Sequence, residues 1–291
     1  MEKSSNKLIY TFWLVLVSIV WGSTFFLIKD TVATVNENLI VFSRCFLAFV
    51  AMFIYQLSKD RKSLFEKSGI IYGSVLGVLL ALTYTSQTIG LKFTSTGHSA
   101  FITSSAVIAV PFILFIFYKF KIVSIDILAV AIVFIGLFLL TYDFDTDINK
   151  GDVITIITAL TCAFHIVISG RAVKKANTLT IVTYQFLAAS LVSFIAWSLS
   201  GDMQLNFGMK AGFSLLYLGL IGTLFCYFVS VWVQKYVTSL KVAIVFSLEP
   251  VFAAIFGFFF LHEILNPKEL IGASLILAGV IAHSILKKQA N

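Results

Sequence analysis

"FSLEPVFAAIFGFFFLHE" (Phe246–Glu263) is an apolar run that nevertheless holds a carboxylate, Glu249, and directly after it a proline, Pro250. With the preceding "LKVAIV" it forms a 22-residue segment, Leu240 to Leu261. At about 1.5 Å of rise per residue, a helix of that length crosses a hydrocarbon core of roughly 30 Å. In lipid every backbone N–H and C=O must be satisfied within its own segment, so a helix is the expected form. An acid and a helix breaker in such a place predict that this part of the segment faces protein or water rather than acyl chains.

Working outward, the same pattern fills the chain. Of 291 residues, 59% are hydrophobic, 12% are charged and 30 are phenylalanine, with a mean hydropathy of +0.99. Such values lie outside the range of soluble domains. Nine further runs are Leu8 to Ile28, Asn38 to Leu57, Gly69 to Leu91, Gly97 to Tyr118, Ile122 to Tyr142, Val153 to Ser169, Leu179 to Leu199, Phe213 to Gln234 and Leu270 to Leu286. The first lacks an Ala-x-Ala-like cleavage site and is read as a retained span. Cys45, Cys162 and Cys226 fall in three separate spans, as packing residues do, with neither a disulfide nor a zinc spacing. The linker "DFDTDINKGD" (Asp143–Asp152) resembles a calcium loop only superficially. Ile148 stands where the turn glycine belongs and Ile154 where the bidentate Glu belongs, so a solvated connection is expected.

Loop charge sets an orientation. With the N-terminus inside, fifteen of the 21 basic residues fall at inner ends and five outside, with Arg44 left within a span. The positive-inside rule then predicts an even number of spans in the cytoplasmic membrane, with both termini cytoplasmic. The net charge of +7 follows from topology and anionic lipid, and implies no nucleic-acid partner.

A shift of 143 residues superimposes the chain on itself: Lys92 meets Lys235, Ser95 meets Thr238, Ala100 meets Ala243, Ser104 meets Ser247, Asp126 meets Glu269 and Gly136 meets Gly279. Earlier in each half the register drifts to 140, where "CFLA" (Cys45–Ala48) lies over "QFLA" (Gln185–Ala188). The expected architecture is all-α, with ten transmembrane helices built as two five-helix repeats, residues 1–147 and 148–291. Five is odd, so the second repeat enters the membrane from the opposite side. Inverted repeats of this kind are the usual frame of secondary transporters.

"WGSTF" (Trp21–Phe25), "SRCFLA" (Ser43–Ala48), "SLEPVFAAIFGFFFLHE" (Ser247–Glu263) and "ELIGASLILAGVI" (Glu269–Ile281) resemble the EamA family of the drug/metabolite transporter superfamily, over nearly the whole chain. The resemblance implies a ten-helix inner-membrane carrier of small organic metabolites, often amino acids being exported. The family's ninth span often ends Leu-Gly-Glu, whereas here Leu261, His262 and Glu263 stand in that place.

Few intramembrane residues carry chemistry. Glu249 would bind a substrate amine or carry a proton; its structural alternative is to satisfy donors freed by Pro250, whose missing N–H leaves a carbonyl open near Phe246. Its repeat image, Ala106, is apolar. Arg44 would receive a substrate carboxylate in its planar fork, or else snorkel to the outer headgroups; it resembles an arginine recurring in the family. His165 would shuttle protons with Glu249, or pack as a hydrogen-bonded core residue. Trp21, Tyr84 and Tyr184 are selected as cavity-lining aromatics, with Tyr227 and Trp232 as further candidates against the bland reading of lipid-facing belts. His98, Lys241, His262 and His283 sit near span ends. Gly73, Gly77, Gly219 and Gly222 favour close helix contact.

No HExxH, GxSxG or Walker sequence is present, so no enzyme activity, cofactor or ATP coupling is expected. The expected function is secondary transport by alternating access, exporting small metabolites and most readily amino acids. The alternatives are import of a metabolite or cofactor-like molecule, or a non-transporting receptor. The expected partners are the cargo and membrane lipid, with a homodimer compatible.

Overall fold

The computed structural model describes residues 2–141, 149–201, 203, 205, 207–261 and 265–289. His262, Glu263 and most of the acidic linker therefore lie outside the described residues. Among those described are ten helical spans long and apolar enough to cross a bilayer. They are built from α1 (Glu2–Thr31), α2 (Glu37–Lys59), α3 (Lys67–Phe93), α4 (Thr96–Ser104), α5 (Ala106–Tyr118), α6 (Ser124–Thr141), α7 (Lys150–Ala172), α8 (Thr178–Leu199), α9 (Met209–Gly219), α10 (Cys226–Val233), α11 (Ser239–Phe246), α12 (Glu249–Leu261) and α13 (Pro267–Gln289). The protein is an all-α, multi-pass membrane protein.

Helix starts follow local chemistry. Asn36, Ser95, Asn149, Asn177 and Thr238 each accept a hydrogen bond from a backbone N–H of the following turn, satisfying donors that the helix leaves open. Asn149 and Asp152 form a reciprocal capping box on α7. Asp152, at the end of the calcium-like stretch, is therefore a helix cap.

Three spans are interrupted near their middles. The fourth breaks at Ser105 into α4 and α5, and the ninth at Ser247 and Leu248 into α11 and α12. In the eighth, a π-helical segment, Leu220–Phe225, joins α9 to α10. The ninth-span break follows from Pro250, which cannot donate to the carbonyl of Phe246. The fourth-span break stands at the repeat-related place without an adjacent proline. There Ser105 turns its hydroxyl back onto the carbonyl of Ile102 at 2.6 Å, and Ser247 does the same onto Ala243 at 3.1 Å, a habit that bends helices.

The packing shows the twofold relation of the halves. α6 lies along α13 and α2 along α8, each pair joining equivalent helices of the two halves. The remaining contacts occur in exchanged couples: α3 packs on α7 as α10 packs on α1, and α4 with α5 packs on α7 as α12 packs on α1. With five crossings per half, the two repeats are inverted.

Glycines set the closest approaches. A Cβ on Gly272 would lie 2.4 Å from the Leu140 nitrogen, and one on Gly77 2.4 Å from the Gln185 carbonyl oxygen; no side chain fits at either contact. Gly73 against α8 and Gly219 against α2 serve the same purpose, as the sequence suggested.

The end that carries both termini is tied by buried Asp126, which accepts from His283 Nε2 at 2.9 Å and Lys287 Nζ at 2.6 Å. At the opposite end Lys29 Nζ donates to the carbonyls of Leu91 and Thr94, the latter at 2.8 Å, and ion pairs join Glu37 to Lys92 and Asp30 to Lys210.

Candidate functional site

The interrupted helices meet at mid-depth, and most of the polar candidates meet there too. Gly22 decides one crossing: its missing Cβ would stand 2.9 Å from the Glu249 carbonyl oxygen. α1 is thereby seated on the start of α12, with Trp21 beside Glu249. A cavity of about 20 Å³ lies between them, lined by Trp21, Thr103, Ser104, Cys162, Ser247 and Glu249 among others. That space holds about one water, whereas metabolite sites occupy about 300 Å³ or more.

The π-helical segment builds the other pole. Its wider turn lets Thr223 Oγ1 donate back to the Leu218 carbonyl at 2.8 Å and leaves the Gly222 carbonyl to accept from Trp21 Nε1 at 2.8 Å. π turns of this kind recur at functional sites because they re-aim groups inside a helix. Arg44, 1% exposed, reaches across from α2. Its Nε donates to Thr223 Oγ1 at 2.9 Å and its guanidinium lies flat over the Tyr84 ring at 3.5 Å. Since the Thr223 proton is committed to Leu218, the Tyr84 hydroxyl donates to Thr223 Oγ1 at 3.2 Å. A Cβ on Gly222 would come within 3.1 Å of Thr24 Cγ2, so the glycine lets α1 pack closely here.

Two features of these poles matter chemically. Among the described residues Arg44 has no carboxylate partner, and its Nη1 makes no hydrogen bond. Glu249, 7% exposed, has no cation within ion-pair distance among them. Buried charges are normally paired, because desolvation is costly. Tyr227, the repeat image of Tyr84, packs edge-on against it with ring centroids 5.6 Å apart, and lies 5.2 Å from Trp21. A cation-friendly carboxylate and an anion-friendly guanidinium thus face a common aromatic partition.

The structure therefore brings together Trp21, Arg44, Tyr84 and Glu249, with His165 alongside. The His165 ring packs edge-on to Tyr227 at 5.1 Å and its Nε2 pairs with Gln185 Oε1 at 2.9 Å. Tyr184 is not part of the cluster. It is the repeat image of Arg44, and its Cβ faces Gly73 on α3, eleven residues and so about 16 Å along the helix from Tyr84. Trp232 sits at the termini end with Tyr10 and Tyr236. Residues that sequence reasoning did not select are Thr223, Gln185, Thr103 and Ser104. Only the serine at the image of Ser247 carried a signal.

A sequence model of the EamA-like transporter family matches residues 8–142 and again 149–285. The chain belongs to the EamA-like transporter family. An "Uncharacterized transporter" of Archaeoglobus fulgidus is 28% identical over 94% of this chain and 84% of its own length. The "Uncharacterized transporter YoaV" of Bacillus subtilis is 22% identical over 92% and 94%. One solved structure superposes with a TM-score of 0.79 at 13% identity, over 96% of this chain and 97% of that one, a likeness of fold. With ten apolar spans and relatives named as transporters, this EamA member is a membrane transporter.

Proposed function

We propose that the protein is a secondary carrier that exports small zwitterionic metabolites, most readily amino acids, across the cytoplasmic membrane by alternating access, with both termini cytoplasmic. The observation that carries the reading is a pair of buried ionisable side chains without counter-ions among the described residues: Arg44 has no carboxylate beside it and Glu249 no cation. A zwitterion supplies both, its carboxylate to the guanidinium fork and its ammonium to Glu249. Trp21, Tyr84 and Tyr227 stand between the poles and offer faces to the cargo's backbone and side chain. The small cavity fits a closed state, and the repeat-related breaks at Ser105 and Ser247 supply places where the two halves bend. Glu249 also carries the proton in an exchange mode, with His165, edge-on to Tyr227, as its relay.

Counterflow in proteoliposomes tests the assignment. Arg44→Ala and Glu249→Gln carriers that remain folded are expected to exchange labelled amino acid far more slowly than the parent. Folded variants that exchange at the parent rate would show that the poles lie elsewhere.

A further inference from the structure

The two halves share a backbone plan but not a chemistry, and the difference runs along one path. On the side away from the termini, α3 meets α7 through a ladder of polar contacts. Thr83 Oγ1 donates to Thr161 Oγ1 at 2.8 Å, Ser86 Oγ lies 2.7 Å from Thr158 Oγ1, and Thr94 Oγ1 donates to Asp152. α4 adds Thr103, whose Oγ1 lies 3.5 Å from Gln87 Nε2, and Ser99 one turn farther out. The ladder starts in the cavity that holds Glu249, because Thr103 and Ser104 line it. It ends near the start of α4, where His98 Nδ1 lies 3.5 Å from Oδ1 of the buried Asp152. From Ser104 to His98 the climb along α4 is about 9 Å.

The image of this seam, between α10 and α1 on the termini side, holds fewer hydroxyls. At the offset of 143, Thr83, Ser86 and Thr94 become Cys226, Val229 and Val237, and Thr158 and Asp152 become Val15 and Ile9, while Thr161 becomes Ser18, whose hydroxyl is spent on the backbone carbonyls of Leu14 and Val245. Val229 and Val233 lie in the apolar core there together with Leu14, Val17 and Leu240.

Two side chains of the polar seam are also unfinished. Ser99 Oγ and Ser104 Oγ are buried and have no hydrogen-bond partner among the described residues. The image of Ser99 at the same offset is Val242, and that of Ser104 is Ser247, whose hydroxyl is taken up by the Ala243 carbonyl. A hydroxyl deep in a protein normally finds a partner, and water supplies one when the seam loosens.

We infer that the seam between α3, α4 and α7 is the route that hydrates: water and small hydrogen-bonding solutes reach the Glu249 cavity from the end opposite the termini, past Ser99 and Ser104. The image seam between α1, α10 and α11 stays dry to the same solutes in the resting carrier. The exchange of protons with Glu249 follows the same route, an addition that rests on the carrier reading above; the hydration itself does not.

Cysteine accessibility tests it on the full-length protein in sealed vesicles, with Cys45, Cys162 and Cys226 replaced by alanine. Single cysteines are placed by Ser99→Cys and Ser104→Cys, and by Val242→Cys as the image of Ser99. Lys210→Cys marks the end opposite the termini and Lys174→Cys the termini end. The probe is a membrane-impermeant trimethylammonium methanethiosulfonate. Ser99→Cys and Ser104→Cys are expected to react from the side that labels Lys210→Cys, at least tenfold faster than Val242→Cys. Equal rates at Ser99→Cys and Val242→Cys, no reaction at Ser99→Cys, or reaction only from the Lys174→Cys side would overturn the inference. If Lys210→Cys labels from the cytoplasm while Ser99→Cys still follows it, the hydrated route stands and the proposed orientation falls.

Discussion

Replacing Arg44 by methionine separates a cargo-binding role from a structural one, because the two predict changes of opposite sign. Methionine is of similar reach, flexible and without a charge. On the stability side, the change removes one hydrogen bond to Thr223, worth about 1 kcal/mol. It also removes the stack on Tyr84, worth about 2 kcal/mol when desolvated. Thr223 keeps Leu218 and Tyr84 as partners, so no polar atom is newly stranded. Against these losses stands the cost of holding an unpaired ion out of water, several kcal/mol. The melting temperature of the detergent-solubilised carrier should therefore stay level or rise. On the binding side, a charge-assisted hydrogen bond to a carboxylate is worth roughly 1.5–3 kcal/mol, which is about 10- to 150-fold in affinity. Arg44→Met should raise the half-saturating amino acid concentration in counterflow by that factor. Arg44→Lys should fall between, keeping charge but losing the fork and the flat stack. A melting temperature lowered by several degrees with unchanged half-saturation would refute the reasoning and make Arg44 a structural residue.

Gly272→Leu should wedge α13 off α6, since even a Cβ there meets Leu140 and Gly136 backbone; a loss of roughly 1–3 kcal/mol from overpacking should appear as a lower melting temperature, and an unchanged one would contradict the contact. A pH gradient imposed across proteoliposomes should drive uphill accumulation of amino acid by the parent and not by Glu249→Gln, whereas no accumulation by the parent would leave facilitated diffusion. Tags placed between Tyr142 and Val153 and after Leu286 should report from opposite faces of the membrane, and a common face would overturn the inverted arrangement.

The spans were legible because hydropathy alone separates lipid-facing segments from loops, and the duplication because helix–helix contacts hold Gly136 and Gly279 in a fixed register. The ninth-span break was legible through Pro250. Its mate at Ser105 was not, since a serine turning onto its own backbone looks like any other in sequence. The π segment was also hidden: one residue of extra winding leaves no compositional mark, and it carries Thr223, on which Arg44 depends. Tyr184 shows the limit of choosing residues by type. It neighbours Gln185, yet a step of about 100° around the helix turns one toward Gly73 and the other toward His165. Which face an aromatic occupies is a property of packing, and hydropathy is silent on it when both faces are apolar.

The most direct test of the two charged poles is equilibrium binding to the purified carrier of three matched compounds: an amino acid, the amine left by its decarboxylation and the acid left by its deamination. The parent should bind the amino acid most tightly, Arg44→Met should no longer distinguish it from the amine, and Glu249→Gln should no longer distinguish it from the acid. Equal binding of all three by the parent, or preferences that survive both substitutions, would contradict the account.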